Sequence, residues 1–176
     1  VKVTTVEDLA WARGRVGVNA RVGVGYDLHR LVPGRTLILG GVRIAHPTGL
    51  LGHSDADIVC HAVTDAVLGA AALGDIGRLF PDTDPEWRDA DSLALLGAAV
   101  RRVRAAGFVV GNVDVTVIAE RPKLLPYLDQ MRANLAGALG IVPAAVSIKG
   151  KTNEGVDSMG REESMACHAV AMVVPA

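Results

Sequence analysis

Asp27 and His29 stand two residues apart in a stretch whose alternation predicts a strand, so both side chains point to the same side of a sheet. A carboxylate oxygen and an imidazole nitrogen brought together in this way suit a divalent ion of the zinc type. A catalytic site of that type takes three protein ligands and keeps one position open. The third must come from elsewhere. His61 is the candidate: in the run His53-Ser54-Asp55-Ala56-Asp57-Ile58-Val59-Cys60-His61 it falls one turn after Asp57 on a predicted helix, and Asp65 extends that face by another turn. Asp57 or Asp65 is then expected to orient the imidazole from behind. Cys60, roughly 100° around the helix, is expected in the core. Ser54 and Asp57 also read as a capping box without function, but a cap does not explain two histidines eight residues apart in an otherwise apolar segment.

Three further stretches carry polar groups. Asp75, Asp82 and Asp84 lie among glycines and prolines over 73–85, where ordinary turn and cap chemistry accounts for them on residue type alone. Arg121-Pro122-Lys123 follows a strand end at Ile118, where free N–H groups and a lysine can meet a phosphate or a base edge; a solvated basic turn explains the run equally well. Lys149-Gly150-Lys151-Thr152-Asn153-Glu154 gathers two cations, a hydroxyl and a carboxylate at another strand end, a mixture that suits a metal–phosphate site better than a surface turn.

The elements that must position these groups follow from periodicity and punctuation. Alternation predicts a strand over 21–27, Pro33-Gly34 turns into a strand over 36–39, and Gly40-Gly41 joins it to 42–44 as a hairpin. A helix is expected over 57–73, stopped by Gly74. Leu93, Leu96, Val100 and Val103 share one face of a second helix that Gly107 ends. Val113, Val115 and Val117 alternate with polar residues as a half-buried strand does. Leu128, Met131, Leu135 and Leu139 stripe a third helix, with Pro126 tolerated at its start and Gly140 closing it. Strands over 146–151 and 164–174 complete an α+β sandwich, a mixed β-sheet with three main helices packed on one face.

Bulk properties narrow the function. The 176 residues match one ordinary domain, and although 50% are apolar, no run reaches the roughly 18 to 20 residues of a membrane-spanning helix. A net charge of -1 and aromatics at 3% argue against nucleic acid, since neither a basic footprint nor stacking platforms are present. Cys60 and Cys167 form no paired spacing, so a reducing compartment is expected. No signal peptide opens the chain, which starts at Val1 rather than Met and reads as a piece of a longer protein. A compositional break near Gly14 to Ala20 separates a leader, 1–20, from the main domain, 21–176.

In order along the chain, GYDLH, HSDADIVCH, LGDIGRLFPDTDP, GNVDVTVIAERPKL and KGKTNEGVDSMGR closely resemble the motifs of the 2-C-methyl-D-erythritol 2,4-cyclodiphosphate synthases, over 21–174. The resemblance implies an enzyme of the non-mevalonate route to isoprenoid precursors. It implies a homotrimer with active sites between subunits, each turning 4-diphosphocytidyl-2-C-methyl-D-erythritol 2-phosphate into the cyclic diphosphate and CMP. It places a Zn2+ or similar ion on Asp27, His29 and His61, and a Mg2+ or Mn2+ on Glu154 with the substrate phosphates. By the same match, His53 and Thr152 contact the reacting phosphates, while Ser54, Asp75, Gly77, Phe80, Asp82 and Asp84 hold the methylerythritol part and the ribose. Ala119, Pro122, Lys123, Leu124 and Leu125 form the cytidine pocket. Lys151, where many relatives have Thr, still suits phosphate; Ser158 replaces an aromatic that lines a central cavity, and Arg161 matches the cavity arginine. Bacterial cytoplasm, or a plastid in a eukaryote, is the implied location. The leader is similar to the tail of 2-C-methyl-D-erythritol 4-phosphate cytidylyltransferase, which implies a fused two-enzyme chain.

Because the substrate's 2-phosphate is already an anionic nucleophile, this chemistry asks for charge neutralisation and in-line geometry rather than an activating His or Ser. Two readings compete with it. One is a mononuclear zinc hydrolase with Asp55 or Asp57 as base. The other, a trimeric binding module with structural zinc, needs a fourth protein ligand that no remaining motif supplies.

Overall fold

The computed structural model describes residues 5–6 and 19–176, so nearly all of the leader expected over 1–20 lies outside the described residues. From residue 19 onward the chain runs β1 (Arg21–Pro33), β2 (Leu37–Leu39), β3 (Val42–Ile44), β4 (Thr48–Leu50), α1 (Ile58–Ala70), α2 (Ile76–Leu79), α3 (Ser92–Ala105), β5 (Phe108–Ile118), α4 (Leu128–Leu139), β6 (Val146–Lys151), α5 (Asp157–Gly160) and β7 (Ser164–Pro175). Five strands form one sheet in the order β4-β1-β7-β5-β6, and β2 and β3 form the separate hairpin expected around Gly40-Gly41. β1 and β5 both run antiparallel to β7, and β6 runs parallel to β5, so the sheet is mixed and the carboxyl ends of β1, β5 and β6 share one edge. This is the α+β architecture the periodicity predicts.

All three long helices pack on one face, α1 against β1 and β7, α3 against β5, and α4 against β6. That face takes Val113, Val115 and Val117 of β5 with Met165, Cys167, Ala169, Ala171 and Val173 of β7, all buried. The opposite face is open in the single chain; its β1 part is apolar, with Val22 64% exposed, Val24 67% and Tyr26 50%, whereas Asp114 of β5 and Lys149 of β6 pair on it at 2.6 Å.

Two helix boundaries depart from expectation. Asp57 itself is the N-cap of α1, its carboxylate accepting from the N–H groups of Val59 and Cys60. Ser54 caps nothing in a reciprocal box; its hydroxyl accepts from Ala56 N–H instead. At the other end α1 stops at Ala70, short of Gly74, because Ala72 adopts the left-handed conformation (φ 60°) and the bonds Ala72 N–H to Gly69 O and Leu73 N–H to Leu68 O close the helix there. At Gly107 and Gly140 the expected stops are present, both with positive φ. β1 continues past Asp27 to Pro33, where its last residues pair with β4.

Candidate active site

Small residues bring the site together. Gly23 and Gly25 of β1 face α1, and a methyl group on either would lie 2.1 Å from Ala66 O or 1.9 Å from Ala62 O. With no side chain between strand and helix, α1 lies directly on β1 and His61 reaches the strand that carries Asp27 and His29. The start of α1 is held from a second direction. The fully buried Asp57 carboxylate accepts from Gly40 N–H at 2.9 Å and Gly41 N–H at 2.6 Å, from the helix N–H groups, and from the Cys60 thiol at 3.3 Å. Burial raises the Asp57 carboxyl above the usual range against the opposing pull of those N–H groups, and burial beside Asp57 holds the Cys60 thiol well above its ordinary value. Both groups are structural.

Asp27, His29 and His61 converge, each offering a ligand atom within 4.8 Å of the others. Asp27 Oδ2 meets His29 Nε2 at 3.1 Å and His61 Nδ1 at 2.9 Å. Burial alone would raise the Asp27 carboxyl, but hydrogen bonds and charge from His29 and His61 together outweigh it and hold the group at about 2. The bond from Asp27 raises the His29 imidazole above its ordinary value, with burial opposing. The far nitrogen of each ring is also engaged. His29 Nδ1 lies 2.6 Å from Leu51 O, and His61 Nε2 lies 3.0 Å from Ser54 Oγ and 2.9 Å from Ser92 Oγ. One carboxylate oxygen and two imidazole nitrogens sharing a point, each ring anchored behind, fit a divalent ion. The anchors are not those expected. Asp57 is turned to the β2–β3 turn, and Asp65 accepts from Ile76 N–H at 2.7 Å, so neither orients His61.

The triad opens into a cavity of about 450 Å³ lined also by His53, Ser54, Gly77, Phe80 and Asp82, all anticipated from the sequence, by Asp65, expected only behind His61, and by Tyr26, Trp87 and Leu95, which were not anticipated. Asp75 and Asp84 do cap chemistry: Asp75 accepts from Arg78 N–H and Asp84 from Glu86 N–H, each at 2.9 Å, and the Asp84 carbonyl lies 3.1 Å from His53 Nε2. Phe80 and Trp87 stack edge to face, which builds one wall. A second cavity of about 280 Å³ gathers Ala119, Pro122, Lys123, Leu124, Leu125, Lys151 and Thr152, with Glu120, Leu128 and Gly150. The Arg121–Pro122 peptide at its rim is cis.

Both cavities sit at the same edge of the sheet. Leu28 of β1, between Asp27 and His29, and Ile118 at the end of β5 are opposite the same β7 residue, Ala166, which puts these two residues about 10 Å apart and β6 one strand further. Glu154, Ser158 and Arg161 line neither cavity. Glu154 is exposed in a left-handed turn (φ 52°), Ser158 accepts from the Ser164 hydroxyl at 2.9 Å, and Arg161 pairs with Glu163 at 2.9 Å. Sequence reasoning missed Ser92 and Trp87, because nothing local marks a helix-start serine or a turn tryptophan as part of a site that only tertiary contact assembles. Asp55 was considered only as a base.

A sequence model of the YgbB family matches residues 20–174. The chain is 61% identical over 156 residues to a 2-C-methyl-D-erythritol 2,4-cyclodiphosphate synthase of Dechloromonas aromatica, covering 89% of this chain and 98% of that protein. To a bifunctional IspD/IspF enzyme of Anaeromyxobacter dehalogenans it is 53% identical over 175 residues, 99% of this chain but only 45% of that one. Among solved structures, a Plasmodium falciparum IspF in complex with CDP superposes with a TM-score of 0.78 at 34% identity, covering 89% of this chain and 96% of that chain.

Proposed function

The chain belongs to the YgbB family, and from that premise we propose that it converts 4-diphosphocytidyl-2-C-methyl-D-erythritol 2-phosphate to the 2,4-cyclodiphosphate with release of CMP. The observation that carries this reading is the convergence of Asp27, His29 and His61 in a cavity whose wall is made by the motif residues His53, Gly77, Phe80 and Asp82. In the reaction a 2-phosphate oxygen forms a bond to the β-phosphorus, and the bond from that phosphorus to the oxygen bridging it to the α-phosphorus breaks. CMP leaves with that oxygen. No water is consumed.

A zinc ion held by Asp27, His29 and His61, and a magnesium or manganese ion at Glu154, would supply charge neutralisation at the phosphates when bound. The chain's own groups do the positioning. His53, held by the Asp84 carbonyl, and Thr152, at the end of β6 beside Lys151, are assigned to the reacting phosphates. Gly77, Phe80 and Asp82 shape the room for the methylerythritol part, with Ser54, Asp75 and Asp84 in the surrounding loops. The second cavity is assigned to cytidine; its lining of backbone, Pro122, Leu124 and Leu125 suits a base recognised without stacking aromatics. Folding the substrate so that its ends meet supplies much of the rate through proximity.

A homotrimer with active sites between subunits accounts for two further features. The apolar outer face of Val22, Val24 and Tyr26 is larger than isolated surface hydrophobics require and calls for a covering subunit. The metal cavity and the nucleotide cavity are separate on one chain, so a neighbour can bring the second to the first. In that assembly Arg161 and Ser158 face the central cavity.

The leader is assigned to the end of a fused cytidylyltransferase. The longer match to the bifunctional relative, 99% of this chain against 89% for the monofunctional one, supports this. No helix among the described residues is long and apolar enough to cross a membrane; the pathway assigns the enzyme to bacterial cytoplasm or a plastid. A zinc hydrolase is not favoured, because the Asp57 carboxylate is buried and committed to four N–H groups and a thiol, and Asp55 is committed to Ser92.

Incubation with the cytidylyl substrate in oxygen-18 water tests the proposal. CMP and cyclic diphosphate in equal amounts and without label are expected. Label entering the product, or CMP without the cyclic product, would overturn it.

A further inference from the structure

We propose that Arg35 is a positioning residue that holds the loop over 50–54 in its working shape from behind the metal cavity. Between β4 and α1 the chain has neither helix nor strand over 51–57. Three groups of this stretch nonetheless build the site: the Leu51 carbonyl stands 2.6 Å from His29 Nδ1, and His53 and Ser54 line the cavity. Outside regular structure, backbone carbonyls take their donors from elsewhere. Arg35 supplies them, its Nε donating to Leu50 O at 3.2 Å and its Nη2 to Gly52 O at 3.4 Å and Ser54 O at 2.9 Å. Alternate carbonyls thus turn toward the guanidinium, and the one between the first two, Leu51 O, turns toward His29.

The remaining carbonyl, His53 O, accepts from Asp89 N–H at 2.9 Å, and the Asp89 carboxylate lies 3.7 Å from Arg35 Nη1. Through Asp89 the guanidinium therefore also meets the segment that carries Trp87 and the Asp84 carbonyl beside His53. Local sequence delivers Arg35 to this point. It follows the Pro33-Gly34 turn, and a methyl on Gly49 would lie 2.4 Å from the Arg35 carbonyl, so β4 runs directly against the Arg35 backbone. Only arginine fits the task. Its donors form a rigid planar fork that reaches carbonyls four residues apart, whereas a lysine ammonium is a single point of charge. Arg35 lies outside the metal cavity and lines a separate one of about 290 Å³ with Asp55 and Asp89, so it touches no substrate and acts through the loop.

The effect on turnover rests on the function proposed above, whereas the hold of Arg35 on the loop does not. Two measurements therefore separate the two claims. In amide hydrogen exchange, Arg35→Ala should speed exchange over 51–55 while β7 stays as protected as in wild type, the signature of a local opening. In steady-state kinetics with the cytidylyl substrate, counted per zinc-loaded site, Arg35→Ala should lower kcat by about 10- to 100-fold, the scale of a small misplacement of positioning groups. KM should change little, because the cytidine cavity lies apart from this loop. Arg35→Lys should stay impaired although it keeps the charge. Guanidinium chloride at a low, non-denaturing concentration should restore part of the turnover of Arg35→Ala, since the space left opens to the outer cavity; urea at the same concentration should not. Wild-type turnover in Arg35→Lys, wild-type exchange over 51–55 in Arg35→Ala, or equal effects of guanidinium and urea would overturn the proposal. Should Arg35→Ala fail to fold, exchange and kcat of Arg35→Lys decide in its place. Wild-type protein that made no cyclic diphosphate would sink the function, and the exchange comparison would still decide the loop.

Discussion

An imidazole ligand is useful to a metal only when the right nitrogen is bare, and at this site a proton competes for it. The hydrogen bond to Asp27 raises the His29 imidazole, so in the metal-free fold this group contributes stability that is fully present below its ordinary value of 6.5 and is lost as pH rises through the raised value. Asp27, held at about 2, contributes stability above its ordinary 3.8 that is lost only as pH falls toward 2, so it stays ionised in any near-neutral titration. Ion binding must displace the His29 proton. The apparent zinc affinity is therefore expected to weaken by about tenfold per pH unit below the raised His29 value and to level off above it. Chelator competition across pH, with proton release followed in weak buffer, checks this; a flat profile would remove His29 from the ligand set. Glu154 makes a different demand. An exposed single carboxylate suits an ion held mainly by substrate phosphates, so Glu154→Gln should keep its zinc yet lose turnover by roughly two or more orders of magnitude. Metal analysis and rate should separate; zinc lost together with activity would make Glu154 a ligand of the first site.

At the scale of elements, the site depends on how closely α1 lies on β1. Gly25→Ala would place a methyl 1.9 Å from the Ala62 carbonyl, a backbone atom that cannot swing aside, so strand and helix must part. The expected cost is about 1–3 kcal/mol or more, as for other overpacked cores, together with weakened zinc binding as His61 moves off Asp27. Gly69→Ala in the same helix is the contrast, since a methyl there meets nothing within 4 Å. It should raise stability by about 0.5–1 kcal/mol through the unfolded chain. Denaturant midpoints of the two variants should move in opposite directions. A Gly25→Ala protein as stable and as metal-loaded as wild type would show that close approach does not position the site.

For the whole molecule, β1 reverses the usual arrangement: its glycines face the core and its valines and tyrosine face outward. Such a strand makes sense when the outward face is covered by another subunit. Val24→Asp, at a position 67% exposed in the single chain, should leave the fold and the zinc site intact and drive the protein to monomers in light scattering. If each site is completed by a neighbour's nucleotide cavity, as proposed above, activity should fall together with assembly. A Val24→Asp variant that kept both its wild-type mass and its activity would show that this face is not the interface.

Much of this was written locally. The paired period of Asp27 and His29, the helix carrying His61, the stops at Gly107 and Gly140 and the alternation of Val113, Val115 and Val117 all follow from neighbours within a few residues, and the structure reproduces them. Local pattern misled where a long-range partner outcompeted it. Asp57 was expected behind His61 from helical spacing, but two N–H groups at Gly40 and Gly41 bind its carboxylate, and a buried charge goes where the donors are. Gly74 was expected to end α1, yet the chain already turns at Ala72. Which groups stand behind His61 was decided only by tertiary structure, because Ser92 lies 31 residues away and a hydroxyl has no period that announces its partner. Sequence spacing sets which way a side chain leaves its own element; what it meets depends on how the elements pack.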